Sequence, residues 1–290
     1  MIKNIAFIGA TGQLGNPVLL ALHKAGFEIT ALVRNPEKAK SKIPHGIKFI
    51  KGNMQSVEDL EKLLEGQDAI YLNLSIKQNE KHKAFHTESD GIRNLLKATQ
   101  KHQLKRIALI SSLVMNYQGM NGFHWWAFEV KHQAVKLIKE SGIPYTIFYP
   151  STFMDVLPNT YKQGKRMLLA GKSKHKMWFV CSQDFARMVT RSFQILKDEN
   201  KEYSVQGPEA FTDDEAVAEF IRHYKKEKLS IMKLPLGVLK FMGRFSTTMN
   251  YGAHIIEAMN EYPEPFVSER SWAELGKPEI TLKTFSESFN

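Results

Sequence analysis

The sequence predicts an α/β fold, a doubly wound parallel sheet followed by a smaller, mostly helical C-terminal region. Three observations carry this expectation. Short apolar runs alternate with longer amphipathic segments through the first 150 residues or so. A glycine-rich turn joins the first apolar run directly to the first amphipathic segment. After about residue 150 the alternation breaks.

In chain order, the apolar runs Ile5–Ile8, Ile29–Val33, Ile47–Ile50, Ala69–Leu74, Ile107–Ile110 and Tyr145–Tyr149 read as buried strands. The segments between them read as crossover helices. Leu14, Val18, Leu19 and Leu22 share one helical face ahead of Gly26, and Val57, Leu60, Leu63 and Leu64 do so ahead of Gly66. Ile92, Leu95, Leu96 and Thr99 mark a third helix. Val130, Ala134, Leu137 and Ile138 mark another, closed by Ser141-Gly142. Beyond residue 150, strands are expected at Trp178–Cys181 and Tyr203–Gln206. Helices are expected over 184–197, 213–226, 235–243 and 247–260. The pattern divides into a dinucleotide-binding domain over 1–155 and a substrate or cap region over 156–290 that partly returns to the first. Such a region caps the carboxyl edge of the sheet, where ligands bind.

Composition narrows the class. Of 290 residues, 43% are hydrophobic and 24% charged, as in ordinary globular chains. Cys181 is the single cysteine, so neither a disulfide framework nor a thiolate metal cluster is expected, and metal ligation is not part of the reading. No apolar run approaches the roughly 18 residues that cross a bilayer, and no membrane partner is expected. The first strand begins near Ile2, leaving no room for a signal peptide, so a cytoplasmic location is the expectation. The net charge of +10 permits an acidic partner, yet the lysines are dispersed and no nucleic-acid motif accompanies them. A polyanionic cofactor suits that charge better than nucleic acid.

The sharpest motif is Gly9-Ala10-Thr11-Gly12-Gln13-Leu14-Gly15. It follows a strand and opens a helix. The first glycine permits the tight turn, the second lets backbone approach a pyrophosphate, and the third lets helix and strand pack closely. The helix N-terminus faces the phosphates. Gly9, Thr11, Gly12, Gln13, Leu14 and Gly15 are therefore candidate cofactor contacts in a Rossmann-type domain. The second strand ends at Arg34, where an NAD-preferring site carries an acid for the ribose 2′-hydroxyl. A guanidinium there suits a 2′-phosphate, with Lys38 one turn on, so NADP(H) is expected ahead of NAD(H).

With these residues the chain resembles an NmrA-like member of the atypical short-chain dehydrogenase/reductase superfamily. Gly52-Asn53-Met54 is similar to the family's Gly-Asp segment near the adenine, with Asn53 in place of the acid. Asn73-Leu74-Ser75 ends the fourth strand, where the family passes along the pyrophosphate and nicotinamide ribose. Ser111-Ser112 ends the fifth, where classical relatives keep a catalytic serine. Tyr149-Pro150-Ser151-Thr152-Phe153-Met154 resembles an Arg-Pro-Gly-x-Phe-Met segment beside the nicotinamide, with Tyr149 and Ser151 as departures. Ser182-Gln183-Asp184-Phe185-Ala186 and Gly207-Pro208-Glu209 resemble the family's Asp-x-Ala helix start and Gly-Pro turn.

The resemblance implies a Tyr-x-x-x-Lys pair after the fifth strand. Here Lys131 stands in the lysine position, expected to hold the nicotinamide ribose, but Ala127 occupies the tyrosine position and cannot donate a proton. Tyr117, His124 and His132 are the local alternatives as acid. Trp125 and Trp126 either wall an aromatic pocket or simply pack, and Cys181 reads as a buried small residue. Two functions stay open. One is an NADPH-dependent reductase of a small carbonyl or quinone-like substrate, with Lys131 and Ser111 or Ser112 as catalytic residues. The other is a non-catalytic NADP(H)-binding regulator acting on a protein partner.

Overall fold

Ile5 and Phe7 point to one side of the first strand, Ala6 and Ile8 to the other, and all four are buried. Such a strand belongs inside a sheet covered on both faces. The computed structural model describes residues 2–43, 45–195 and 199–290. Its first half alternates β1 (Asn4–Ile8), α1 (Gly15–Lys24), β2 (Glu28–Val33), α2 (Pro36–Lys40), β3 (Lys48–Lys51), α3 (Val57–Leu64), β4 (Ala69–Leu72), α4 (Ile92–Thr99), β5 (Arg106–Ile110), α5 (Trp126–Glu140) and β6 (Tyr145–Pro150). A π-turn over Thr87–Gly91 leads into α4. The second half carries β7 (Lys162–Gln163), β8 (Arg166–Ala170), β9 (Met177–Phe179), α6 (Ser182–Gln194), β10 (Lys201–Val205), β11 (Glu209–Phe211), α7 (Asp213–His223), β12 (Ser230–Leu234), α8 (Leu236–Gly243), α9 (Thr247–Glu261), α10 (Glu269–Leu275) and α11 (Leu282–Glu287).

One sheet runs β10-β6-β5-β4-β1-β2-β3, every neighbouring pair parallel. The strand order reverses between β1 and β4, the place where parallel α/β sheets open a ligand crevice. Leucines of α3 and α4 cover one face with α5, and Val18, Leu19 and Leu22 of α1 cover the other with Phe185 and Val189 of α6. A third cluster fills the C-terminal lobe, with Met167, Phe179, Val217, Phe220 and Phe285 at its centre. Buried Arg106 fastens the far side of the sheet, donating to the carbonyls of Tyr145 and Glu199 and to Thr146 Oγ1.

The expected strands and helices are present with ends moved by a few residues. The helix foreseen over 184–197 starts at Ser182 and ends at Gln194, and its expected positions 196–197 lie outside the described residues. The C-terminal region also holds sheet that the sequence did not announce: the three strands β12-β8-β7, and β11, which pairs with the expected strand β9. Arg166–Ala170 and Ser230–Leu234 are rich in Leu, Met and Lys, which favour helix, and they become strands by pairing in parallel with each other, with β7 antiparallel on the other edge of β8.

Candidate functional site

The glycine loop, Arg34, Asn73 and Ser111 follow the carboxyl ends of β1, β2, β4 and β5. After β1 the chain turns at Gly9, whose φ of +92° is costly for any other residue. The Gly12 N–H donates to the Gly9 carbonyl at 3.1 Å, closing the loop. A Cβ on Gly15 would lie 2.1 Å from that same carbonyl oxygen, so packing demands the third glycine. A Cβ on Gly12 meets the Gly9 oxygen at 3.2 Å and otherwise only Asn73 Nδ2 at 3.8 Å, and Gly12 is exposed. The loop is thus tight underneath and open at Gly12.

Asn73 sits across the crevice at the end of β4. Its N–H donates to the Ile8 carbonyl at 2.9 Å, and its own carbonyl lies where a Cβ on Gly9 would fall. Its side-chain Oδ1 is buried and has no hydrogen-bond partner. Gln13 reaches from the loop to the Asp155 carbonyl at 2.9 Å, tying the loop to the segment after β6. Open backbone at Gly12 and the N-terminus of α1 fit the pyrophosphate of a dinucleotide, while the unsatisfied amide oxygen, an acceptor, fits a ribose hydroxyl. At the end of β2, Arg34 is exposed and makes no recorded ion pair among the described residues. Lys38 is also exposed, in α2, whose Asn35 side chain caps the Lys38 N–H.

The remaining sequence candidates divide. Thr11, Gln13 and Leu14 form the rim of the loop. Asn53 is exposed, its Oδ1 taken by the Gln55 N–H, and Met54 is buried beneath Gly91. Leu74 is buried and Ser75 exposed. Ser111 Oγ lies 3.2 Å from Met115 Sδ, and Ser112 is half-buried beside it. Tyr149 gives its hydroxyl to Glu202 at 2.7 Å, and burial raises its pKa above the usual phenol range. Phe153 packs edge-on against Phe185 in the core. Ser151 donates to Glu264 at 2.9 Å. Burial raises that carboxyl's pKa, against the opposing hydrogen bonds of Gln206, Ser151 and the Trp178 N–H.

Lys131 has a specific partner, Glu88 of the π-turn, at 2.7 Å, with side chains 17% and 2% exposed. Burial alone would lower the lysine's pKa. The charge and hydrogen bond of Glu88 outweigh it, Tyr251 adds to them, and the ammonium is held above the ordinary lysine range. Ala127 is buried in the core below. Of the alternative acids, Tyr117 is buried against Phe123, with its hydroxyl 3.4 Å from Asn121 Nδ2. His124 is exposed, and His132 faces the Met115 carbonyl at 3.2 Å. Trp125 is buried between Phe128, Tyr251 and His254. With Trp126 it also borders a pocket of about 290 Å³ whose other wall is the α8–α9 connection, including Arg244, Phe245 and Tyr251. Cys181 is buried, and burial pushes its thiol up to about 12. Glu88, Tyr251 and Glu264 were not foreseen from the sequence. Each lies in a polar or helical stretch with no local pattern to mark it.

Residues 9–195 match the sequence profile of the NAD(P)H-binding family. A photosystem II assembly factor of Trieres chinensis is 23% identical over 260 residues, 88% of this chain and 80% of that protein. Quinone oxidoreductase 2 of Escherichia coli is 26% identical over 229 residues, 77% of this chain and 75% of that one. Among solved structures, an NADPH-dependent quinone oxidoreductase of Escherichia coli in complex with NADPH superimposes with a TM-score of 0.73 at 22% identity. The match covers 98% of this chain and 99% of that one. Other solved chains of the same fold hold NAD.

Proposed function

Because the chain belongs to the NAD(P)H-binding, NmrA-like family of Rossmann-fold proteins, we propose that it is an NADPH-dependent reductase of a small carbonyl or quinone-like substrate. One observation carries the reading: the glycine loop is open at Gly12, where an added Cβ would meet only the Gly9 oxygen and the Asn73 amide nitrogen. In this reading the loop and the N-terminus of α1 hold the pyrophosphate, and Arg34 with Lys38 receives a 2′-phosphate. The bound dinucleotide supplies the hydride, and the chain supplies orientation. Ser111 and Ser112 offer hydroxyls to a carbonyl oxygen at the end of β5. The similarity to a quinone oxidoreductase supports the substrate class. The test is loss of reduced-nicotinamide absorbance across a panel of quinones and carbonyls, beside a fluorescence titration of NADPH. Turnover of at least one class is the expected result.

A second reading is favoured by a specific observation. Lys131 is engaged by Glu88, and Ala127 stands four residues before it. An ammonium already paired and a missing hydroxyl suit an NADP(H)-binding regulator that does no chemistry. Tight NADPH binding without turnover on any member of the panel would select this reading.

A further inference from the structure

Helix α8 is seated the wrong way round for a helix of a water-facing lobe. Val238, Phe241, Met242 and Phe245 follow the spacing i, i+3, i+4, i+7, which puts them on one face. That face is turned outward: the four side chains are 44%, 59%, 40% and 80% exposed. The buried positions are Leu239 and Gly243, which meet α9. A Cβ on Gly243 would stand 2.9 Å from the Asn250 Cα, so the two helices are already in close contact and α8 has no room to turn its apolar face inward. Ile231 and Leu234 of β12, immediately before α8, are exposed as well. An exposed apolar helical face of this kind marks an interaction site.

The charges around it indicate what covers it. Residues 225–249 hold six basic side chains and one acidic one, Glu227. Glu227 is paired with Lys162, Lys233 with Asp214 and Lys240 with Glu257. Lys226, Lys228 and Arg244 make no recorded ion pair among the described residues. A second copy of the chain docked through the same face about a two-fold axis would set these cations against their own counterparts. An apolar helical face that ends in the unpaired Arg244, on a stretch rich in lysine, suits a helix lying in the interface of a negatively charged bilayer.

We propose that the outward face of α8, with Phe245 and Arg244 at its end, docks on the surface of a bilayer containing anionic phospholipid. No described helix is long and apolar enough to cross a membrane, and lying on one needs no such helix. Arg244 and Phe245 also border the pocket of about 290 Å³, so docking would turn its mouth toward the lipid.

The experiment is co-sedimentation of the full chain with vesicles of phosphatidylcholine alone and of phosphatidylcholine mixed with phosphatidylglycerol. The protein is expected to sediment with the mixed vesicles, less with the neutral ones, and less again as salt is raised. Phe241→Ser/Phe245→Ser should weaken binding to the mixed vesicles about tenfold or more. Arg244→Glu should weaken it while leaving the residual binding to neutral vesicles unchanged. The substituted side chains are exposed, and an unchanged melting temperature verifies that each variant is folded. Absence of sedimentation with the mixed vesicles overturns the proposal, as does undiminished sedimentation of the double variant. A concentration-dependent dimer that the double variant abolishes, in a protein that ignores vesicles, would assign the face to a second copy instead.

Discussion

At the scale of single residues, the glycine loop gives Gly15 and Gly12 different parts, one in packing and one on the open side. Gly15→Ala sets a methyl group 2.1 Å from the Gly9 oxygen, so α1 must shift. The expected result is a loss of stability of about 1–3 kcal/mol, read as a lower urea midpoint. Gly12→Val places its bulk on the open side, so the protein should fold and fail to bind NADPH. A folded Gly12→Val protein with normal affinity would remove the loop from the binding site. At the end of β2, Arg34→Ala should weaken NADPH about ten- to a hundredfold and leave NADH unchanged, because only one of the two carries the phosphate. Equal titration curves for the two cofactors in the parent chain would refute that assignment. The loop was legible because its glycine spacing lies within seven consecutive residues beside a strand. The Lys131–Glu88 pair was not. It joins residues 43 positions apart, and the family likeness pointed Lys131 to a ribose instead.

At the scale of elements, that pair is the polar fastening between α5 and the π-turn before α4. Lys131→Met leaves the Glu88 carboxylate buried without compensation, which should cost about 3–5 kcal/mol, and Lys131→Met/Glu88→Gln should recover most of it. If the lysine also holds the nicotinamide ribose, the double variant will bind NADPH more weakly by about 1–3 kcal/mol yet bind 2′,5′-ADP as before. Equal losses for both ligands would leave Lys131 with a structural part alone. Helix α7 carries a second such group at its first turn. Burial pushes the Asp213 carboxyl up to about 7, against the hydrogen bond from Tyr161 and with Asp214 adding to the rise. The folded chain thus holds this proton more tightly than the unfolded one. Its contribution to stability is complete below about pH 4 and is lost as pH climbs toward about 7. Asp213→Asn should therefore melt higher than the parent above neutrality and close to it in acid, and parallel melting curves across that window would discount the shift. The elements themselves were readable wherever side chains repeat with a single period, as in β1, α1 and α3. The sheet of β7, β8 and β12 escaped because β8 and β12 carry helix-favouring side chains and pair with each other across more than 60 residues.

For the whole molecule, the three hydrophobic clusters make ligand binding and folding one measurement. NADPH at a hundred times its dissociation constant should add about 2.7 kcal/mol to the unfolding free energy and raise the melting temperature by several degrees. Gly12→Val should show no such rise, and a rise in that variant would place the ligand elsewhere. On the ribosome, the strand order takes on a temporal meaning. β1 is made first and stands mid-sheet; β2 joins its edge, β3 joins β2, β4 takes the opposite edge, and β5, β6 and β10 extend outward from there. No strand has to be wedged between two that are already paired. The nascent chain can therefore zip its sheet outward as it emerges, and both sides of the crevice, the glycine loop and Asn73, exist before the C-terminal lobe has been translated.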